Sequence, residues 1–169
     1  MAGTSILILG GARSGKSRFA QTIAEAESGP LTYVATAEAR DTEMAQRIAR
    51  HRADRGPRWT TVEAPHDLPQ HIAQHDVGTM VVDCLTLWLS NRLLADADME
   101  SEIDALVTAI GKARGSLILV SNEVGSGIVP ESALGRIFRD HAGRANQVVA
   151  AAADRVALVV AGLPLWLKS

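Results

Sequence analysis

The stretch Gly10-Gly11-Ala12-Arg13-Ser14-Gly15-Lys16-Ser17 constrains this chain more than any other. It follows the apolar run Ser5 to Leu9 and opens a helix-like segment from Lys16 to Glu27. Strand, glycine-rich loop and helix in that order make the context of a phosphate-binding loop. Gly10 and Gly15 let the backbone curl so that successive N–H groups point inward, and the helix beginning near Lys16 adds its positive dipole end. Such a cradle suits a polyphosphate. Lys16 is placed to reach β- and γ-phosphate oxygens, and the Ser17 hydroxyl to ligate Mg²⁺. The plain alternative, a glycine turn between a strand and a helix, is disfavoured by the full spacing together with its flanks.

With 169 residues, 47% of them hydrophobic, the chain can fill the core of one domain, and residues 1–169 are read as a single nucleotide-binding unit. A net charge of -2 supplies no general attraction for nucleic acid or an anionic membrane, so partners have to be read from sites. The one cysteine, Cys84, excludes an internal disulfide framework and reads as a small buried residue after an apolar strand. The N-terminus lacks a basic region followed by a long apolar stretch, and no run approaches the roughly 18 apolar residues of a membrane span. These features lead us to expect a soluble cytoplasmic protein.

Beyond the first helix the pattern alternates. Leu31 to Thr36 reads as a strand after the Gly29-Pro30 break, and Asp41 can cap a helix to about Asp54 with Met44 and Ile48 inward. Arg58 to Glu63 reads as a strand, Asp67 to Gln74 as a short helix, and Thr79 to Asp83 as a buried strand ending in a carboxylate. Leu85 to Ala95 and the helical spacing of Met99, Ile103, Leu106, Val107 and Ile110 mark two more helices. Ser116 to Ser121 is another buried strand and Asn122 to Pro130 a loop; Glu131 to Ala153 is a long helix. Arg155 to Ala161 closes as a strand, with Leu165 to Lys168 as an edge strand. Apolar strands alternating with helices predict an α/β fold, a largely parallel sheet with helices on both faces. In such a fold ligands bind at strand C-terminal ends, which selects the glycine loop, Ala35 to Arg40, Glu63, Asp83 and Asn122-Glu123.

Met80-Val81-Val82-Asp83 has the form of a Walker B strand, whose terminal carboxylate holds Mg²⁺ directly or through water. Asn122 and Glu123 either orient a nucleophile near the phosphates or form a polar turn. Between Arg47 and Arg58, five arginines and His51 gather in a nearly neutral chain. A charge run of this kind is ordinarily a solvated helix face. Helical spacing nonetheless puts His51 three residues beyond Ile48 and seven beyond Met44, on the inward stripe. Arginines beside it would neutralise triphosphate charge and disfavour imidazole protonation, keeping the ring nucleophilic. A neutral imidazole at a nucleotide's α-phosphate can expel pyrophosphate and form a nucleotidyl-histidine. His71 and His75 have the spacing of a metal pair but no third ligand, and are read as exposed helix positions. His141 reads as structural. Trp59, Trp88 and Trp166 read as core or edge packing, with Trp88 able to border an apolar ligand.

The motifs GGARSGKS at 10 to 17, YVAT at 33 to 36, EMAQRIARHR at 43 to 52 and RW at 58 to 59 occur in one order. VVDCLT at 81 to 86, SNEVGSGIVPE at 121 to 131, and FRDHAGRANQ with AAAADRV at 138 to 156 follow them. In these the chain resembles, over nearly its whole length, the bifunctional adenosylcobinamide kinase/adenosylcobinamide-phosphate guanylyltransferase family of cobalamin biosynthesis. The resemblance implies a P-loop NTPase-like three-layer α/β/α fold and GTP on Gly10 to Ser17, with ATP or GTP as phosphoryl donor. It implies that His51 is the guanylylated residue and that Ala35, Thr36, Ala37, Arg52, Ala53, Asp54, Arg55, Glu63 and Asp83 contact nucleotide. Adenosylcobinamide and its phosphate would be the acceptors, and the protein a homo-oligomer, a trimer by family habit. Arg50 precedes His51 where some relatives carry a second histidine. Guanine preference follows from the resemblance alone, because the chain has no N-K-x-D base-reading motif. Two rival readings are a P-loop small-metabolite kinase with no covalent intermediate and a GTP-controlled binding module.

Overall fold

The computed structural model describes residues 3–38, 42, 45, 46, 49, 53 and 55–169. Six of the apolar runs pair in parallel: β1 (Ser5–Gly10), β2 (Leu31–Ala35), β3 (Trp59–Glu63), β4 (Thr79–Asp83), β5 (Ser116–Asn122) and β6 (Arg155–Val160). β7 (Leu163–Lys168) returns antiparallel beside β6, giving the sheet order β3-β2-β4-β5-β1-β6-β7. The chain is therefore α/β with a largely parallel sheet.

Strand alternation divides the apolar residues between two faces. On one, Ile6, Ile8, Leu31, Tyr33, Val81 and Ile118 pack with Ala20 and Ala24 of α1 (Lys16–Ala26). On the other, Leu7, Val34, Met80, Val82, Leu117 and Leu119 meet four helices. These are α2 (Leu68–Ala73), α3 (Leu85–Leu94), α4 (Met99–Lys112) and α5 (Ala133–Ala152). Asp98 and Ser132 begin α4 and α5 by accepting hydrogen bonds from the backbone N–H groups of Ser101 and Gly135. Helices on both faces make three layers. Among the described residues, no helix is long and apolar enough to cross a membrane.

The last hairpin differs from the reading that ran β6 through Ala161 and began β7 at Leu165. Ala161 and Gly162 have φ of 51° and 79° and form a two-residue turn between Val160 and Leu163. Positive φ at both central residues suits the right-handed twist of a hairpin, and alanine there gives no sequence warning. Pro164 is accommodated because β7 is an edge strand. Trp166 packs edge-on against Phe19 at 6.1 Å, and the Arg155 guanidinium lies 3.9 Å from its ring centroid.

One histidine assignment changes. His75 is 7% exposed rather than a surface residue; it lies just past α2, with Nε2 3.2 Å from the Ser116 carbonyl oxygen. Its own carbonyl accepts from the N–H groups of Arg114 and Gly115. Gly115 belongs here, since a Cβ would fall 2.4 Å from His75 Nε2. His71 remains partly exposed, 3.3 Å from Asp67. Trp88 is wholly buried, as its reading as core packing has it, and its indole N–H donates to the His66 carbonyl at 3.0 Å.

Thr42, Ala45, Gln46, Ala49 and Ala53 are helical and exposed, within the segment read as a helix from Asp41. The inward positions of that reading, Met44 and Ile48, lie outside the described residues, as do His51, Arg52 and Asp54.

Candidate active site

The sheet register brings the selected strand ends to one edge. Gly10 pairs with Asn122 on one side and Val159 on the other, while Ala35 pairs with both Glu63 and Asp83. A parallel sheet aligns these C-terminal ends because every strand enters from the same side, through a crossover connection.

Between β1 and α1 the backbone turns through Arg13 at φ 56° and Gly15 at φ 95°. Gly15 directly precedes α1, and its left-handed φ favours glycine. Gly10 is required for space: a Cβ would lie 2.4 Å from Ser14 Oγ and 2.8 Å from the Val159 carbonyl oxygen. The loop is tied on two sides, by Gly162 N–H donating to the Ser14 carbonyl at 2.7 Å and Glu123 N–H to the Gly10 carbonyl at 3.0 Å. Lys16 is buried, with its ammonium donating to the Gly11 carbonyl at 2.9 Å. Ser17 is half-buried at the start of α1, and Gly11, Ala12 and Arg13 are exposed. The result is a cradle of backbone donors with a lysine held beside it, which can bind a chain of phosphates.

Asp83 ends β4 on the same sheet face as Val81, the face covered by α1. Tyr33 donates its hydroxyl to Asp83 Oδ2 at 2.8 Å, and the Arg55 guanidinium lies 3.6 Å from the centre of the Tyr33 ring. Burial raises the Tyr33 phenol far above its ordinary value, and the Asp83 charge and hydrogen bond raise it further, so it is a standing donor. Among the described residues, no group of three or more His, Cys, Asp or Glu could hold a metal. The Ser17 hydroxyl and Asp83 carboxylate are hard oxygen donors too few to cage an ion, and that set fits Mg²⁺, which keeps waters and takes its remaining ligands from substrate phosphates.

The segment after β2 is structural as well as placed at the site. Thr36 is fully buried; its hydroxyl donates to the Cys84 carbonyl at 2.7 Å and accepts from the Cys84 N–H at 2.8 Å. Asn91 Nδ2 donates to the carbonyls of Thr36 at 2.8 Å and Pro65 at 3.0 Å. The Asp83–Cys84 peptide is cis. Cys84 is buried, as its position predicts, and burial followed by the Asp83 charge raises its thiol. Ala37 is half-buried, and Glu63 is exposed at the end of β3.

Asn122 and Glu123 separate in role. Asn122 N–H donates to Thr86 Oγ1 at 2.8 Å, and its carbonyl accepts from Asn146 Nδ2 at 3.2 Å. Glu123 accepts from Gly125 N–H at 2.7 Å and Ser126 N–H at 3.2 Å. Hydrogen bonds from Ser126 and Gly125 hold its carboxyl below the usual glutamate range, a shift that burial partly opposes. Glu123 carries turn-forming bonds, whereas the bonds of Asn122 tie the end of β5 to α3 and α5. Sequence reasoning passed over Tyr33, Thr86, Asn91 and Asn146, whose polar atoms serve these strand ends. It also missed the 2.6 Å contact between His66 Nε2 and Glu38 Oε1 after β3 and β2. For Tyr33 the available signal was a hydroxyl-bearing aromatic in a largely buried strand, two residues before the strand end.

Comparison with known proteins gives the fold and the family. Two solved Pyrococcus horikoshii OT3 structures share the fold. One, from a structural study of project PH0250, has a TM-score of 0.55 at 9% identity, covering 99% of this chain and 87% of that one. The other, the KaiC-like protein PH0186, has a TM-score of 0.50 at 16% identity, covering 93% and 72%. Among curated relatives, the bifunctional adenosylcobalamin biosynthesis protein CobP of Pseudomonas aeruginosa is 49% identical, with 96% of each chain covered. The CobU proteins of Escherichia coli and Salmonella typhimurium are 41% and 39% identical over 96% of this chain and 99% of theirs. Residues 6–167 match the family model described as Cobinamide kinase / cobinamide phosphate guanyltransferase. The chain belongs to that cobinamide kinase and cobinamide phosphate guanyltransferase family.

Proposed function

We propose that residues 1–169 act as one catalytic domain carrying out two reactions in adenosylcobalamin biosynthesis. The first phosphorylates adenosylcobinamide from ATP or GTP; the second transfers GMP from GTP to adenosylcobinamide phosphate. The observation that carries this reading is a phosphate loop and a β4 carboxylate on one sheet edge, in a chain that matches the family from residue 6 to 167.

In the kinase step the acceptor hydroxyl attacks the γ-phosphorus, its proton leaves, and the nucleoside diphosphate departs. Lys16 and the N–H groups of Gly10 to Ser17 offset charge on the phosphates, and positioning supplies most of the acceleration. Mg²⁺ held by Ser17 and Asp83 would neutralise charge on the phosphate oxygens. In the transferase step a nitrogen of His51 forms a bond to the α-phosphorus while the bond to pyrophosphate breaks. A phosphate oxygen of the cobinamide phosphate then takes the GMP and frees the histidine, giving adenosylcobinamide-GDP. The same loop serves both steps, first around a transferable phosphate and then around a leaving pyrophosphate. Ala35 to Ala37, Arg52 to Arg55 and Glu63 complete the nucleotide site in this reading. The protein works as a cytoplasmic homo-oligomer, a trimer, with neither nucleic acid nor membrane as partner.

Incubation of the pure protein with α-labelled GTP and Mg²⁺ tests the covalent step. Label should stay on the denatured protein, be lost in acid and kept in base, and vanish in His51→Ala. Label that never remains, or remains undiminished in His51→Ala, removes the transferase mechanism and leaves a simple P-loop kinase. Nucleotide bound with no group transferred to any acceptor would instead mark a binding module.

A further inference from the structure

Tyr33 is the residue on which two charged side chains of the site meet. It stands on β2 two residues before Ala35, and Ala35 pairs with Asp83. The hydroxyl binds Asp83 Oδ2 at 2.8 Å while the Arg55 guanidinium covers the ring at 3.6 Å. Trp59 of β3 meets the ring edge-on at 6.2 Å and 76°, and its indole N–H donates to Glu25 Oε1 of α1 at 3.2 Å. The ring is 6% exposed, so its direction is set by packing.

Arg55 is held in an unusual way. Its Nη2 is 3.4 Å from Thr61 Oγ1, but Nε and Nη1 are buried without a hydrogen-bond partner among the described residues. The main hold on the guanidinium is the aromatic face, a cation–π contact. Donors of this kind are ready for an anionic guest, and Arg55 belongs to the arginine- and histidine-rich stretch between Arg47 and Arg58. Asp83, for its part, gives one oxygen to the tyrosine hydroxyl, which leaves the other for a metal ion or its water.

We propose that Tyr33 is a positioning residue of the nucleotide site, orienting the Asp83 carboxylate for the nucleotide-bound metal and coupling it to the placement of Arg55. The inference rests on the reading that Asp83 holds that metal. Phenylalanine at this position keeps the ring, its packing and the cation–π contact while removing the hydroxyl and its bond to Asp83. Arg55→Ala removes the cation and keeps the hydroxyl.

The test is the affinity of Mn²⁺ for the protein complexed with a non-hydrolysable GTP analogue, followed by the electron paramagnetic resonance signal of free Mn²⁺. Thermal melts check that each variant is folded. Tyr33→Phe should weaken Mn²⁺ about ten-fold, the size of a lost hydrogen bond to a charged group. Metal-free affinity for the analogue should change less than about two-fold. Arg55→Ala should also weaken Mn²⁺ in the wild-type background but add little in Tyr33→Phe, because the hydroxyl carries the coupling. Unchanged Mn²⁺ affinity in Tyr33→Phe, with Asp83→Asn strongly weakened, overturns the positioning role while sparing the metal site. Additive effects of Arg55→Ala and Tyr33→Phe overturn the coupling. Unchanged affinity in Asp83→Asn itself removes the metal assignment, and the proposal with it.

Discussion

Gly162 donates its backbone N–H to the Ser14 carbonyl at 2.7 Å, so the phosphate loop leans on the β6–β7 turn some 150 residues away in sequence. The contact is tight on the glycine side as well. A Cβ on Gly15 would sit 3.1 Å from Gly162 Cα, and Gly15 has a φ of 95°. Gly15→Ala should therefore strain the loop by about 1–2 kcal/mol and push it off the turn. GTP affinity measured by calorimetry should fall about ten-fold or more, with a modest loss of melting temperature. Wild-type affinity in this variant would mean that the turn does not shape the cradle.

Thr36 occupies both backbone groups of Cys84 with one hydroxyl, and Asn91 fixes the Thr36 carbonyl from α3. Thr36→Val conserves shape but leaves the buried Cys84 N–H without its partner, while the Cys84 carbonyl keeps only the 3.4 Å bond from the Trp88 N–H. An orphaned buried N–H costs about 1–3 kcal/mol, so urea unfolding should show a loss of about that size. Thr36→Ser should recover most of it. A stable valine variant would show that the turn after Asp83 tolerates unpaired polar groups.

His75 is buried against the Ser116 carbonyl, and desolvation lowers its imidazole below the ordinary value, opposed by hydrogen bonds to Ser116 and Gly78. A group whose folded value is depressed gains protons first in the unfolded chain. Stability is therefore unaffected well above the ordinary histidine range and falls as pH drops through it, by at most about 1.4 kcal/mol per pH unit for one proton. Melting temperatures between about pH 7.5 and pH 5 should decline in the wild type. They should decline less in His75→Gln. Parallel pH profiles for the two proteins would show that His75 is not the group responsible.

Glu123 spends its carboxylate on the N–H groups of Gly125 and Ser126. Glu123→Gln keeps an acceptor for that turn, so the stability change should stay under about 1 kcal/mol. Guanylylation by α-labelled GTP should stay within about three-fold of wild type, since general-base catalysis would be worth about a hundred-fold or more. A hundred-fold loss with the fold intact would instead place the carboxylate in the reaction.

Local rules carried much of this protein. The Gly10 to Ser17 spacing, the buried β4 run ending at Asp83, the five other parallel strands and the long α5 helix were all legible, because glycine conformation, strand alternation and helical periodicity act over a few residues. So were the candidate strand ends, since a parallel sheet leaves its ligand edge at their C-termini. The sequence also determined the family, through several motifs in one order. What tertiary structure decided depends on pairs far apart in the chain. Neither Tyr33 nor Asp83 announces the other across 50 residues, and His75 is buried only because Gly115 leaves room for its ring. Ala161 turns with a positive φ because the sheet ends there on an antiparallel edge strand, something no alanine propensity encodes. Burial and register are properties of the whole packed sheet, so they set the partners of these side chains where local sequence had set only their kind.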